Sequence, residues 1–110
     1  MGQDMPTKII SVIKQGDQYY LPFFIKDHGV EVTPDNSDDI RIKVGKIVKT
    51  LSSGDLVFIN GRFLFPITQE QSLSWKGDVR CQAQRKIGDD VRGTDVYSIC
   101  VQPSIFTDLF

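Results

Sequence analysis

The chain has 110 residues, 13 basic and 14 acidic side chains, a formal net charge of −1 and 10% aromatic residues. This length predicts one domain spanning 1–110, and a chain of this size buries roughly two-thirds of its unfolded surface, so one core forms without staples. No apolar run approaches the ~20 residues of a membrane span, Met1 to Pro6 lack the regions of a signal peptide, and the balanced charge argues against a nucleic-acid partner.

The pattern along the chain is a series of short β-type segments punctuated by turn residues. Lys8 to Lys14 is the first strand, ending at Gln15-Gly16-Asp17. Gln18 to Lys26 is the second, and Pro22, with no backbone donor, assigns it to an edge or a bulge. Asp27-His28-Gly29 reads as a tight turn with Gly29 at positive φ. Residues 30–39 are polar and predict a loop, with one helical turn opened by Thr33 as cap and Pro34 as first residue. Ile40 to Val44 alternates as a half-buried antiparallel strand does. Gly45 is expected to be a bulge, with Lys46 to Leu51 continuing the ribbon, and Ser52 to Asp55 is the next turn. Leu56 to Ile59 and Arg62 to Pro66 flank Asn60-Gly61, the strongest local hairpin signal. Thr68 to Ser72 predicts one helical turn, since Thr68 and Gln71 have capping-box spacing. Gly77 to Lys86 is a long strand, Gly88 to Asp90 a turn, and Val91 to Val101 a return strand bent at Gly93-Thr94-Asp95. Seven or eight strands about ten residues apart favour an all-β sandwich or small barrel over βαβ architecture.

The residues offer little chemistry. His28 has no nucleophile in a recognisable arrangement with it and reads as a turn histidine. Asp35, Asp38 and Asp39 lack the ligand order of a calcium loop. Glu70 and Asp78 have nothing that fixes their separation. Cys81 and Cys100 are too far apart for a CxxC motif, so no zinc site is expected. Strand parity turns Cys81 inward with Val79 and Ala83, and Cys100 outward with Ser98 and Gln102. The expectation is two free thiols and synthesis in a reducing cytosol. Arg41, Lys43, Lys46 and Lys49 have the spacing of a basic stripe, which is equally that of a solvated strand face. The chain is therefore expected to be no enzyme and to hold no cofactor or metal.

The aromatic residues carry more information. Adjacent pairs cannot both point inward in a regular strand, so Tyr19-Tyr20 and Phe23-Phe24 each send one ring outward. An outward ring needs cover from a loop or another subunit. The apolar segment Pro103 to Phe110 raises the same question: it folds back or docks on a neighbour. Around Thr68 to Ser72, polar side chains border Phe65, Ile67, Leu73 and Trp75, as at an interface with an apolar anchor. The other reading has Leu73 and Trp75 close one end of the core. The candidate partner-binding residues are Tyr20, Phe24, Gln69, Gln71, Trp75, Phe106 and Phe110.

Several segments in order resemble a known family: Ile13-Lys14-Gln15-Gly16-Asp17, Tyr20-Leu21-Pro22-Phe23, Asp38 to Gly45, Phe65 to Leu73, Gly77 to Gln84, and Val101 to Ile105. Together they resemble the small β-sandwich virion proteins of tailed phages and prophages of Gram-positive bacteria. In particular they are similar to minor structural proteins related to the N-terminal domain of the baseplate upper protein. The resemblance covers most of the chain and carries no active-site residue. It implies an immunoglobulin-like antiparallel sandwich that attaches other virion proteins to the tail, baseplate or head. It also implies a homo-oligomer or multicopy subunit, found in the virion and, during assembly, in the host cytoplasm. With the chain ending at Phe110, the receptor-binding extension of longer relatives is not expected. The rival expectation is a carbohydrate-binding sandwich with Tyr19, Tyr20 and Trp75 as its platform.

Overall fold

The computed structural model describes residues 8–94, 96–106 and 108–110. The readings of Met1 to Pro6, and of Asp95 in the expected bend, lie outside the described residues. The fold is all-β and sandwich-like, with two sheets facing each other across one core. The described residues form eleven strand segments: β1 (Lys8–Lys14), β2 (Tyr19–Phe23), β3 (Lys26–Asp27), β4 (Val30–Glu31), β5 (Asp39–Val44), β6 (Ile47–Thr50), β7 (Val57–Ile59), β8 (Arg62–Ile67), β9 (Gly77–Ile87), β10 (Asp90–Gly93) and β11 (Tyr97–Gln102). The count exceeds seven or eight because two expected strands break and because Val30–Glu31, expected as part of a loop, pairs with Lys26–Asp27 as β4. Gln18 to Lys26 divides into β2 and β3 at Phe24-Ile25, and Val91 to Val101 divides into β10 and β11 near Thr94.

The larger sheet has the order β1-β11-β9-β5-β6. Its centre is the long β9, which pairs with β5 along one side and with β11 and then β10 along the other. All of these pairs are antiparallel, whereas β1 joins β11 in parallel, with a register shift between Ile9 and Ser11. The smaller sheet has the order β2-β8-β7. Pro22 therefore sits on an edge strand, where a missing donor costs no ladder bond.

Local chemistry sets the turns. His28 (φ +52) and Gly29 (φ +80) join β3 to β4, and Asn60 (φ +53) and Gly61 (φ +79) join β7 to β8. Two successive positive φ values are the signature of the type I′ hairpin turn, whose twist matches that of the strands. Gly45 is not a bulge. Val44 pairs directly with Ile47, so Gly45 (φ +59) and Lys46 form a two-residue turn. Pro34–Asn36 is the expected helical turn, of 3₁₀ type, with the Thr33 N–H donating to Asn36 Oδ1 at 2.9 Å. The α-helix α1 (Gln69–Leu73) is closed by its capping box: Gln71 N–H donates to Thr68 Oγ1 at 3.1 Å, and Thr68 N–H to Gln71 Oε1 at 3.0 Å.

The core is the sum of the inward parities. Ile40, Ile42 and Val44 from β5, Val79, Cys81 and Ala83 from β9, and Ile99 and Val101 from β11 meet Leu21 and Phe23 from β2 and Phe63, Phe65 and Ile67 from β8. Phe23 and Phe65 meet edge-to-face, with centroids 6.3 Å apart. Trp75 closes one end, its ring against Gly45.

One charged residue shares the inward parity. Arg85 is buried and binds three groups from β3 and the chain leading to β5: Nη1 to Asp27 Oδ2 at 2.9 Å, Nε to Ser37 Oγ at 2.8 Å, and Nη2 to the Asn36 carbonyl at 2.6 Å. Asp27 also lies 2.8 Å from His28 Nδ1 and 3.3 Å from Arg92 Nη1. Burial pushes the Asp27 carboxyl up, but the hydrogen bonds from Arg85, His28 and Arg92 outweigh it and hold the group below its ordinary value. The cluster clamps the β3–β4 hairpin and the 3₁₀ turn onto β9, and a buried charge of this kind is tolerated because each of its three nitrogens donates a hydrogen bond and a carboxylate faces it.

Candidate interaction face

The outer side of the three-stranded sheet is the most unusual surface of the molecule. Register places Tyr20 opposite Pro66, Pro22 opposite Leu64, and Leu64 opposite Val57 on its other side, while Ile59 pairs with Arg62. Phe24 lies under the Arg62 guanidinium, 5.9 Å from ring centroid to Cζ. Alternation sends Leu21, Phe23, Phe63 and Phe65 inward, so Tyr20, Pro22, Phe24, Val57, Ile59, Arg62, Leu64 and Pro66 form the other face. Only Arg62 of these eight is charged. Tyr20 is 60% exposed, Phe24 62%, Val57 43% and Ile59 47%. A sheet with one solvated face normally shows polar side chains there, and a contiguous exposed apolar surface marks an interaction site.

The sequence-predicted residues fall in three places. Tyr20 and Phe24 lie on this face. Gln69, Phe106 and Phe110 meet at a corner beside the β1–β2 turn. There the Phe110 N–H donates to Gln69 Oε1 at 3.2 Å, and a cleft of about 320 Å³ is lined by Gln15, Asp17, Gln69, Phe106 and Leu109. Gln71 is spent on capping α1. Trp75 is 9% exposed and belongs to the core, so of its two readings the structure takes the one in which it closes the sandwich. Its burial also removes the indole from any platform with Tyr19 and Tyr20. The aromatic pairs behave differently from each other. Phe23 is buried and Phe24 exposed, as expected, but Tyr19 (45% exposed) and Tyr20 are both outside. Tyr19 has inward parity, yet it is the first residue of β2 and lies at the rim of the sheet.

Val57, Ile59, Leu64 and Pro66 were not singled out from the sequence. A signal was there: Val57 to Ile59 and Phe63 to Ile67 are apolar at every position, the pattern of strands covered on both sides. Arg85 likewise announced itself by its parity with Val79, Cys81 and Ala83.

The opposite side of the molecule is polar. A shallow groove of about 510 Å³ on the large sheet is lined by Arg41, Lys43, Arg80, Gln82 and Gln84, with Val48 and Val96 at its sides. Arg41 Nε donates to Gln84 Oε1 at 2.6 Å. The basic stripe does not form as spaced, because Lys49 Nζ turns to the Pro66 carbonyl at 2.9 Å, 5.3 Å from the Phe65 centroid. The acidic residues are dispersed. Asp38 accepts from the Gly88 N–H, and Asp39 accepts from Ile40 N–H and from the Ser52 N–H and hydroxyl. Burial raises the Asp39 carboxyl, and these hydrogen bonds with nearby Lys86 more than reverse that, leaving it below its ordinary value. Cys81 is buried with its thiol pushed up to about 12, chiefly by burial, and Cys100 is half-buried on the other face of the sheet. Among the described residues no helix is long and apolar enough to cross a membrane.

No family profile matches the chain, and neither a curated protein nor a solved structure is significantly similar to it.

Proposed function

We propose that this chain is a non-enzymatic structural protein of a phage or prophage particle, an immunoglobulin-like attachment domain of the tail, baseplate or head that works by binding other proteins. The observation that carries the reading is the apolar outer face of the β2-β8-β7 sheet. Seven apolar side chains around one arginine suit a protein interface, where apolar and aromatic anchors sit inside a polar rim. The ordered resemblance to small virion proteins supports the particular setting. The role needs only folding and contact surfaces, which suits a chain with no recognisable nucleophile–base arrangement.

The test is co-sedimentation. Antibody raised against the chain is applied to particles purified on a density gradient from the source strain. The expected result is the chain in the particle fractions at a fixed ratio to the major tail or capsid protein. Recovery only from the soluble fractions, with none in the particles, refutes the proposal.

A further inference from the structure

We infer that the apolar face of the small sheet receives the segment after β11 from a second copy of this chain, with Asp108 of one copy set against Arg62 of the other. The inference rests on reading that face as an interface and names what covers it.

The molecule carries two largely uncovered apolar surfaces. The first is the face built by Tyr20, Phe24, Val57, Ile59 and their neighbours. The second is the segment 103–110, in which Ile105 is 93% exposed, Phe106 73%, Leu109 55% and Phe110 fully exposed. The Phe110 N–H holds it at the corner of Gln69, and there it leaves those side chains in water. Removing exposed apolar side chains of this size from water is favourable, so a contact that covers both surfaces is driven.

Charge selects the pairing. Arg62 is the only charged residue of the face, and Asp108 is the only one in 103–110. Among the described residues neither has an ion pair. Apolar groups around one cation, which rests on the Phe24 ring but has no ion pair among the described residues, therefore face apolar groups around one anion. Complementary single charges set register at an interface more than they add affinity.

Three of the sheet edges are poor templates for pairing with another chain. Strand β1 is interrupted by the register shift at Ile9/Ser11, β2 carries Pro22, and β7 is three residues long. Bulges, prolines and short strands are how edges are kept from pairing with another chain. Association through a face and an extended segment remains open.

The experiment is light scattering over a range of concentrations on the full chain, Arg62→Asp, Asp108→Arg, the double variant and Phe106→Ser, with circular dichroism to verify folding. Phe106 and Asp108 are exposed and Arg62 is half-buried. The wild type is expected to rise above 12.4 kDa with concentration. Either charge reversal and Phe106→Ser should each weaken association about tenfold or more, and the double reversal should return it to within about threefold of wild type. A mass of 12.4 kDa at every concentration overturns the inference, as does a double variant no tighter than the single reversals. A monomer leaves the co-sedimentation test of the virion role untouched, so the two ideas fail separately.

Discussion

Replacing Gly45 with alanine tests the packing of the closed end of the sandwich. Gly45 holds φ +59 in the β5–β6 turn, and a methyl group built on it falls 3.3 Å from both Trp75 Nε1 and Val79 Cγ1. Two costs follow. A left-handed conformation costs a non-glycine residue roughly 1–2 kcal/mol, of which about 0.4–1 kcal/mol is returned because alanine restricts the unfolded chain. The methyl group also lies inside the ordinary 3.5–4.0 Å carbon contact, against two side chains that are themselves buried, and overpacking of this kind costs about 1–3 kcal/mol. The sum is a destabilisation of about 2–3 kcal/mol. Gly54→Ala isolates the backbone part, since Gly54 has φ +83 but nothing within 4 Å of the added methyl, and should cost about 1 kcal/mol or less. Urea unfolding followed by the fluorescence of Trp75, the only tryptophan, measures both. The Gly45 variant should also alter native emission, because the methyl group presses on the indole. Equal losses in the two variants, with native emission unchanged, would refute the packing of Trp75 on this turn.

Phe65→Ala removes a fully buried ring that touches Phe23 and should cost about 3–5 kcal/mol in the same assay, a large share of a small domain's stability; a loss under about 1 kcal/mol would contradict a core built from both sheets. Asp39 titrates below its ordinary value of 3.8 in the folded chain. Its contribution is thus present above the unfolded value and lost as pH falls through the folded one. The urea midpoint should drop on acidification below about pH 4, less steeply in Asp39→Asn, and identical profiles would contradict the Ser52 contacts. Ellman's reagent should label Cys100 in the native chain and Cys81 only on unfolding, because burial holds the Cys81 thiol protonated; equal native rates would contradict the burial, and no labelling in denaturant would indicate a disulfide.

Much of the fold was legible because its causes are local. Period-two alternation in Ile40 to Val44, Asn60-Gly61, the Thr68/Gln71 spacing and Pro22 each depend on a few neighbouring residues, and each behaves as its chemistry requires. Gly45 was misread because a bulge and a two-residue turn need the same positive φ, and only the partner of Val44 distinguishes them. The outer face was half legible. Tyr20 and Phe24 follow from the rule that adjacent rings diverge, but their neighbours Leu64, Val57 and Ile59 join them only through cross-strand register.

By itself, then, the sequence determined an all-β chain, the positions of most turns, the parity of Cys81 and Cys100, and the surplus of apolar side chains over one core. Tertiary structure decided the rest. It made β9 the shared centre of the large sheet, set β1 parallel to β11, drew Trp75 inside and gathered part of that surplus onto one face. Strand pairing joins residues tens of positions apart, and the free energy that selects it comes from burial of whole faces, to which no short stretch of sequence has access.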